Sequence, residues 1–241
     1  MVTVLGHCET LMALIARGYQ TPEVVENLGL IKNRMKQIYS QVTPQYDDIE
    51  AEIVCLLLLQ IHPQIVHDVS LNGVWSTLYM LNALDLTSQG VIHSYDKEPQ
   101  TARVIEMFPN LKKRWIPMSL SLPTSDENIE FLFIDADHSQ EFAHTYVDQL
   151  LTPLLNKVRQ SHTKVMVVVH DIFHAWYEQQ YQFNPEGQVL IDFLERNQLL
   201  YFSPRNYEHA AQLNQERIQA KIDTSPIHCY STNPAVFFIL E

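Results

Sequence analysis

The stretch "FLFIDADHSQEF", Phe131–Phe142, decides how this sequence folds. Four apolar residues lead directly into Asp135, Asp137 and His138, and Ser139 follows as a preferred helix cap. The apolar run is typical of a buried strand. Carboxylates at a buried strand end cost desolvation and repel one another. The stretch therefore indicates either a solvent-exposed turn or a strand edge that binds a positively charged ligand.

The same order of strand and helix recurs along the chain after residue 64. Short apolar runs separated by helical periodicity predict seven strands, at residues 64–70, 90–96, 112–118, 128–135, 164–171, 199–203 and 235–241. Strands that alternate with helices form right-handed βαβ units. The sequence therefore predicts an α/β fold with a doubly wound, mostly parallel, seven-stranded sheet over residues 64–241.

Residues 1–63 carry a different pattern, an N-terminal helical arm that precedes the first strand. Helices are predicted over residues 8–20, 21–39 and 47–61, and Thr21 and Pro22 are typical of a helix start. Amphipathic helices must bury their apolar stripes. We therefore expect the arm to act as a lid or to form a dimer contact.

Composition narrows the class of protein. The 241 residues are 46% hydrophobic and 18% charged, as in a globular protein with a sizeable core, and the formal net charge is −12. An acidic chain lacks the basic face that nucleic-acid binding requires. The apolar run Ile53–Ile61 is too short to span a bilayer. Three widely spaced cysteines and the absence of a signal pattern predict a reduced, cytoplasmic protein.

Polar residues stand at the predicted carboxyl ends of several strands, where open α/β sheets bind their ligands. They are Asp68, Ser70, Asn72, Gly73, Asp96, Asp135, Asp137, His138, His170 and Asp171. Asp96 is either a helix cap or an acceptor for both hydroxyls of a ribose. The loop "SLNGVWST", Ser70–Thr77, has one glycine and would cradle phosphates poorly. This disfavours a nicotinamide dinucleotide and leaves room for a cofactor without phosphates.

Asp135 and Asp171 end neighbouring strands of the predicted sheet. Such strands lie about 4.8 Å apart, so the two carboxylates could share one ion. Oxygen ligands favour Mg²⁺, Ca²⁺ or Mn²⁺, whereas His138 and His170 would admit iron or zinc. The alternative is a hydrogen-bonded polar cluster without a metal. His67, within the first strand, is predicted to be a hydrogen-bonded core histidine, and residues 174–181 either an aromatic lid or a surface helix.

Four motifs carry a resemblance to a known family: Asp68–Thr77, His93–Asp96, Phe133–Ser139 and Val169–Phe173. They resemble class I S-adenosylmethionine-dependent methyltransferases with a Rossmann-like sheet. Within that class they look like the branch that contains macrocin-type sugar O-methyltransferases and cephalosporin hydroxylase-like proteins. The resemblance covers roughly residues 64–200 and excludes the helical arm.

The resemblance implies a role for each matching residue. Asp68 would hold the methionine end of the cofactor, Asp96 would accept hydrogen bonds from the ribose, and Met118 would lie near the adenine. The implied cofactor-binding residues are Asp68, Ser70, Asn72, Gly73, Ser76, Asp96, Met118, Ser119 and Asp135. The implied metal ligands are Asp135, His170 and Asp171, and the implied catalytic residues are His138, as general base, and Asp135.

These roles lead to one principal hypothesis and two alternatives. The first is metal-assisted O-methylation of a small hydroxylated molecule, a sugar or natural product, by a dimer that uses S-adenosylmethionine. Mg²⁺ is the expected ion, with Fe²⁺ or Mn²⁺ as alternatives, because His170 stands where metal-dependent members often carry an acid. The second is a mononuclear iron site formed by Asp135 or Asp137 with His138 and His170. The third is a non-catalytic binding or scaffold module.

Overall fold

A seven-stranded sheet forms the centre of this computed structural model, which describes residues 9–44, 46–96, 99–119, 121–173, 183–204, 207–223 and 235–241. The strands are β1 (Ile65–Ser70), β2 (Val91–Ser94), β3 (Trp115–Pro117), β4 (Phe131–Asp135), β5 (Val165–Val169), β6 (Tyr201–Phe202) and β7 (Val236–Leu240). Their order across the sheet is β3-β2-β1-β4-β5-β7-β6. Strands β1 to β5 run parallel, and β7 runs antiparallel to both β5 and β6. The predicted α/β fold with a mostly parallel sheet is confirmed, whereas residues 174–181 lie outside the described residues.

Helices cover both faces of this sheet. They are α1 (Glu9–Gln20), α2 (Pro22–Ile38), α3 (Asp48–Ile61), α4 (Val74–Thr87), α5 (Pro99–Ile105), α6 (Pro109–Lys112), α7 (Gln140–Tyr146), α8 (Thr152–Ser161), α9 (Pro185–Arg196) and α10 (Tyr207–Gln219). A π-helical segment, Val147–Leu151, joins α7 to α8. Within the described residues, none of the helices combines the length and the apolar character needed to cross a membrane.

Strand β4 explains why both faces of the sheet are apolar. Phe131 and Phe133 are fully buried in a cluster with helices α1 to α4. Leu132 and Ile134 are fully buried in a second cluster with α7, α8 and α9. Successive residues of a strand face opposite sides, so a strand covered on both sides has to be continuously apolar. Each such side chain contributes about 1.5–3 kcal/mol through burial.

The helical arm is packed directly on the sheet, and a buried ion network ties it to α10. Glu52 of α3 is only 1% exposed. Its carboxylate accepts hydrogen bonds from the Tyr19 hydroxyl at 2.7 Å, from Lys32 Nζ at 3.2 Å and from Arg217 Nε at 2.7 Å. The arm therefore shares its core with the rest of the chain. The division after residue 63 and the lid or dimer role of the arm stay predictions.

Candidate functional site

The register of the central strands brings predicted site residues to one edge of the sheet. Ser70, the last residue of β1, lies opposite Asp135, the last residue of β4. The backbone N–H of Leu71 donates to the Asp135 carbonyl at 2.9 Å, and that of His170 donates to the Ile134 carbonyl at 2.9 Å. The carboxyl ends of β1, β4 and β5 therefore meet, and the side chains that follow them share one site.

Asp68 holds the loop between β1 and α4 through hydrogen bonds at both ends of the loop. Its side chain is fully buried. The Ser70 hydroxyl donates to one carboxylate oxygen, and the Thr77 hydroxyl donates to the other at 2.7 Å. Both oxygens therefore accept hydrogen bonds within the chain and hold the start of the loop against α4, while a direct contact of Asp68 with a cofactor stays a prediction.

Gly73 lets this loop pass close to β1. A Cβ atom at residue 73 would lie 2.6 Å from Ser70 Cβ and 2.8 Å from Ser70 Oγ, which no real side chain tolerates. Asn72 adopts a left-handed backbone with φ of 63°, a conformation that asparagine accepts readily. The Asn72 side-chain oxygen is buried and has no hydrogen-bond partner among the described residues. The Ser76 hydroxyl donates to the Gly73 carbonyl at 3.0 Å. The loop therefore combines a close backbone approach at Gly73 with an unpartnered oxygen on Asn72.

Asp68 makes stability depend on pH. Burial raises the pKa of Asp68 from 3.8 to about 7, although the Ser70 and Thr77 hydroxyls oppose the shift. A raised pKa in the folded state means that ionisation of Asp68 opposes folding. The contribution of the protonated carboxyl to the unfolding free energy is therefore fully present below pH 4 and is lost as the pH rises through 7. We expect the unfolding free energy of the wild type, relative to Asp68→Asn, to fall by about 2–3 kcal/mol between pH 5 and pH 8. Urea titrations of both proteins at several pH values measure it, and a difference that stays constant with pH would contradict it.

The predicted ribose and adenine residues stand at the ends of β2 and β3, further out in the sheet. Asp96 accepts a hydrogen bond from the buried Thr101 hydroxyl. The backbone N–H of Met118 donates to the Ser94 carbonyl at 2.7 Å, and the Met118 side chain is half-buried. Ser119 is exposed. These residues border the same edge of the sheet as the loop between β1 and α4, residues 71–73, which we call the Gly73 loop. Their contacts with a cofactor stay predictions.

His170 is buried and contacts three carboxylates, of which Glu50 is buried and Asp135 and Asp171 are partly exposed. Its Nδ1 is 2.9 Å from Asp135 Oδ1, and its Nε2 is 3.2 Å from Glu50 Oε2 and 3.3 Å from Asp171 Oδ1. The ring is 3% exposed, and the Tyr46 ring packs edge-on against it with centroids 4.7 Å apart. Burial opposes the charged imidazole, but Asp135 and Glu50 outweigh it and raise the pKa of His170 well above its usual value.

His138 lies near two of the same carboxylates and is held by Glu186. Its Nδ1 lies 2.8 Å from Glu186 Oε2, while its Nε2 is 3.6 Å from Asp171 Oδ2 and 3.8 Å from Asp135 Oδ1. The side chain is 36% exposed, whereas that of Glu186 is 1% exposed. Burial lowers the pKa of His138, but the hydrogen bond to Glu186 and the nearby carboxylates outweigh it and raise the pKa. His138 is therefore an oriented imidazole that solvent can reach.

The loop after β5 places Asp171 in a left-handed backbone conformation, with φ of 55°, which aspartate adopts more readily than most residues. The Asn184 side-chain amide donates to the Asp171 carbonyl. Gly187 at the start of α9 fits so closely that a Cβ atom would lie 2.2 Å from the Ile172 carbonyl oxygen. Burial raises the pKa of Asp171 to about 6, because its effect is larger than that of the nearby His170, which acts to lower the pKa.

Three of these side chains could hold a divalent ion. One ligand atom from each of Asp135, His170 and Asp171 lies within 4.8 Å of the others. Asp171 Oδ1 is buried and makes no hydrogen bond among the described residues, although it lies 3.3 Å from His170 Nε2. The mixed oxygen and nitrogen set fits iron, manganese or zinc, and the two carboxylates alone fit Mg²⁺. His170 would have to release a proton to bind a metal.

The residues of the predicted iron site are only partly brought together. Within the described residues, His138 is not in the set of mutually close ligand atoms. Asp137 is exposed, and its carboxylate accepts hydrogen bonds from the backbone N–H and the hydroxyl of Ser139 at the start of α7. Asp137 therefore belongs to the start of the helix, while Asp135 belongs to the site.

Sequence reasoning missed Glu50 and Glu186. Glu50 comes from α3, whose apolar sequence carries acids at residues 48, 50 and 52. Acidic groups in a buried helix are a signal, because burial without a partner is costly. Glu186 follows Asn184 and Pro185 in a stretch typical of an ordinary helix start. No pattern in the sequence singles it out.

Comparisons with known proteins give a likeness of structure alone. No protein-family model matches the chain, and no curated protein matches it. One similar solved structure is cofactor-bound Rv0187 from MTB, with a TM-score of 0.52 and 13% identity over 91% of this chain and 90% of that chain. Another is a putative O-methyltransferase from Klebsiella pneumoniae, with a TM-score of 0.52 and 12% identity over 89% of this chain and 90% of that chain. A third is the O-methyltransferase from Bacillus cereus in complex with SAH, with a TM-score of 0.51 and 12% identity over 90% of this chain and 91% of that chain. The chain therefore has the Rossmann-like fold of these proteins, two of which are described as O-methyltransferases.

Proposed function

We propose that this protein transfers a methyl group from S-adenosylmethionine to a hydroxyl group of a small molecule, and that the acceptor is a sugar or natural product. We further propose that it acts in the cytoplasm as a dimer. The observation that carries the proposal is that a tight loop and an oriented imidazole follow the ends of two neighbouring strands. The Gly73 loop follows β1, His138 follows β4, and Ser70 lies directly opposite Asp135 where these strands end.

The names of the similar structures support the choice of cofactor. One is described as cofactor-bound, and the O-methyltransferase from Bacillus cereus is in complex with SAH, the demethylated form of S-adenosylmethionine. In this chain the buried, unpartnered oxygen of Asn72 and the close approach of Gly73 to Ser70 fit a ligand without phosphates that lies against the loop. The resemblance of Asp68–Thr77 and His93–Asp96 to methyltransferase motifs favours the same cofactor.

The chemistry that follows uses His138 as the base. When bound, S-adenosylmethionine supplies a methyl group on a sulfonium cation. The acceptor oxygen forms its bond to the methyl carbon as the bond from carbon to sulfur breaks, and the bonding electrons remain on sulfur. His138 Nδ1 donates to Glu186 and leaves Nε2, on the side of Asp135 and Asp171, to accept the acceptor's proton. The base is effective only when its imidazole is neutral.

A divalent ion is the second part of the proposal. Asp135 and Asp171, with His170 after loss of its proton, would hold it. A bound ion lowers the pKa of a coordinated hydroxyl group and so eases its deprotonation. The chain's own contribution is to keep these ligands in place: Glu50 contacts His170, and Asn184 fixes the backbone of Asp171. His170 favours Mn²⁺ or Fe²⁺, and the two carboxylates are sufficient for Mg²⁺.

Cofactor binding is the direct test. Calorimetric titration of S-adenosylmethionine into chelator-treated protein, repeated with Mg²⁺ and with Fe²⁺, is expected to show saturable binding of one molecule per chain. Gly73→Ala should weaken this binding about tenfold to a hundredfold, because the added methyl group displaces Ser70. Gly29→Ala is the matched control, since a Cβ atom there meets nothing within 4 Å.

The outcomes separate the candidate functions. Absence of binding by the folded protein in every condition would reject the methyltransferase and favour a scaffold module. Unchanged affinity in Gly73→Ala would place the cofactor elsewhere. Iron that remains bound through purification and is lost in Asp135→Asn would favour the iron enzyme.

A further inference from the structure

A second group of metal-ligating side chains lies on the other side of β1 from Asp68. His67 of β1 and His93 of β2 are register partners in neighbouring parallel strands, so both imidazoles project from the same face. Their ring centroids are 5.4 Å apart. Glu127, from the segment between β3 and β4, reaches over them, with Oε2 3.8 Å from His67 Nδ1. One ligand atom from each of the three lies within 4.8 Å of the others.

The polar atoms of this group are incompletely satisfied. His67 is fully buried, and its Nε2 has no hydrogen-bond partner among the described residues. His93 Nδ1 is also buried without a partner in that part of the chain. A buried nitrogen left without a hydrogen bond costs about 1–3 kcal/mol. The two unpartnered atoms belong to adjacent imidazoles, whereas His67 Nδ1, which lies 3.8 Å from Glu127, already contacts the Tyr95 hydroxyl at 3.1 Å. A ligand that contacted both rings would satisfy the unpartnered nitrogens.

The Tyr95 hydroxyl connects two members of the group, because it lies 3.1 Å from both Glu127 Oε2 and His67 Nδ1. Imidazole nitrogens and a carboxylate oxygen are ligand types that bind transition metals.

We propose that His67, His93 and Glu127 bind a divalent transition-metal ion of the zinc class, at a site separate from the proposed methyl-transfer centre. Two imidazoles and one carboxylate are a common ligand set for Zn²⁺ and favour it over Mg²⁺ and Ca²⁺. Glu127 is the route of entry, because its side chain is 28% exposed while that of His67 is fully buried. The ligand set leaves a position open for water or for the Tyr95 hydroxyl.

The ligands come from β1, β2 and the segment between β3 and β4, so the ion would stabilise the structure. Glu127 belongs to the segment between β3 and β4, which begins with Met118 and Ser119. That segment is held by Ile129, which is buried in the core, and by Lys157 Nζ, which donates to the carbonyls of residues 125, 126 and 127 at 2.8–3.2 Å. An ion shared with His67 and His93 would fasten the segment to β1 and β2. It would thereby stabilise the border of the site proposed for adenine.

The test uses full-length protein without an affinity tag, treated with chelator and dialysed. Asp135→Asn/Asp171→Asn serves as the parent, so that the other ligand group does not compete. Titration with Co²⁺ should yield the visible absorption bands of nitrogen-ligated cobalt at one ion per chain, and Zn²⁺ should displace it. His93→Gln and Glu127→Gln should each weaken the binding about a hundredfold. Asp126→Asn, at the exposed neighbour of Glu127, should leave it unchanged.

Two results would overturn the proposal. One is a parent protein that melts cooperatively but binds neither Co²⁺ nor Zn²⁺ at millimolar concentration, in which case the group is only a hydrogen-bonded chain. The other is full binding in both His93→Gln and Glu127→Gln, which would place the ion elsewhere. Melting curves recorded without metal verify that each variant is folded, and either variant alone decides the question if the other fails to fold.

Discussion

Replacing His138 by glutamine is expected to lower the methyl-transfer rate by about 10²–10⁴-fold, the usual contribution of a general base. Glutamine preserves much of the side-chain volume but cannot accept the proton from the acceptor hydroxyl. The affinity for S-adenosylmethionine should change little, because the loop between β1 and α4 is untouched. The measurement is the initial rate of S-adenosylhomocysteine formation with an acceptor from a screen, beside calorimetric binding of the cofactor.

A matched control is available in the helix that follows. His144→Gln changes an exposed histidine of α7 and should retain the parental rate. Glu186→Gln should give an intermediate rate and move the acidic limb of the pH–rate profile to lower pH, because Glu186 raises the pKa of His138. A His138→Gln enzyme with the parental rate would remove His138 from the mechanism and leave deprotonation to a bound ion or to solvent.

Replacing Glu52 by alanine should have the largest effect on stability, a loss of about 3–5 kcal/mol in the unfolding free energy. Its carboxylate is the shared acceptor for Lys32, Arg217 and Tyr19, and its side chain is 1% exposed. Without it, two cations remain buried beside each other. Urea titration followed by far-UV circular dichroism measures the change.

Two further variants identify the cause of that loss. Glu26→Ala, at an exposed position of α2, should change stability by no more than about 0.5 kcal/mol. Adding Lys32→Met to Glu52→Ala should restore part of the lost stability, because one unpaired buried charge is removed. A loss below about 1 kcal/mol in Glu52→Ala would mean that water reaches the two cations.

The sheet could be predicted because its strands report burial directly in the sequence. Phe131 to Ile134 are apolar on both faces, and a strand of this kind has few alternative structures. Strand ends were less predictable. Residues 90–96 were expected to form one strand, but only Val91–Ser94 pair, so Asp96 lies in the following loop. Residues 199–203 likewise reduce to Tyr201–Phe202, because an edge strand pairs on one side alone.

The site was predictable only where the sheet itself places the residues. Asp135, His170 and Asp171 follow adjacent strands, and register brings them together without further information. Glu50 reaches them from α3, whose position depends on the packing of the arm against the sheet. Glu186 depends on where α9 returns. The prediction that His67 is a hydrogen-bonded core histidine is confirmed by its burial and its contact with the Tyr95 hydroxyl. Its pairing with His93, 26 residues away in the chain, follows from the register of β1 and β2. Sequence patterns indicate local periodicity, but they do not indicate which distant helices and strands come together.

The antiparallel strand β7 has a consequence for how the chain folds during synthesis. It lies between β5 and β6 and pairs with β5 from Val165 to Val169, yet it is made some 70 residues later. Until β7 has left the ribosome, the hydrophobic edge of β5 has no partner on that side. Unpaired apolar edges of this kind promote association between nascent chains. We therefore expect the newly made protein to depend on chaperones that shield β5 until β7 can pair with it.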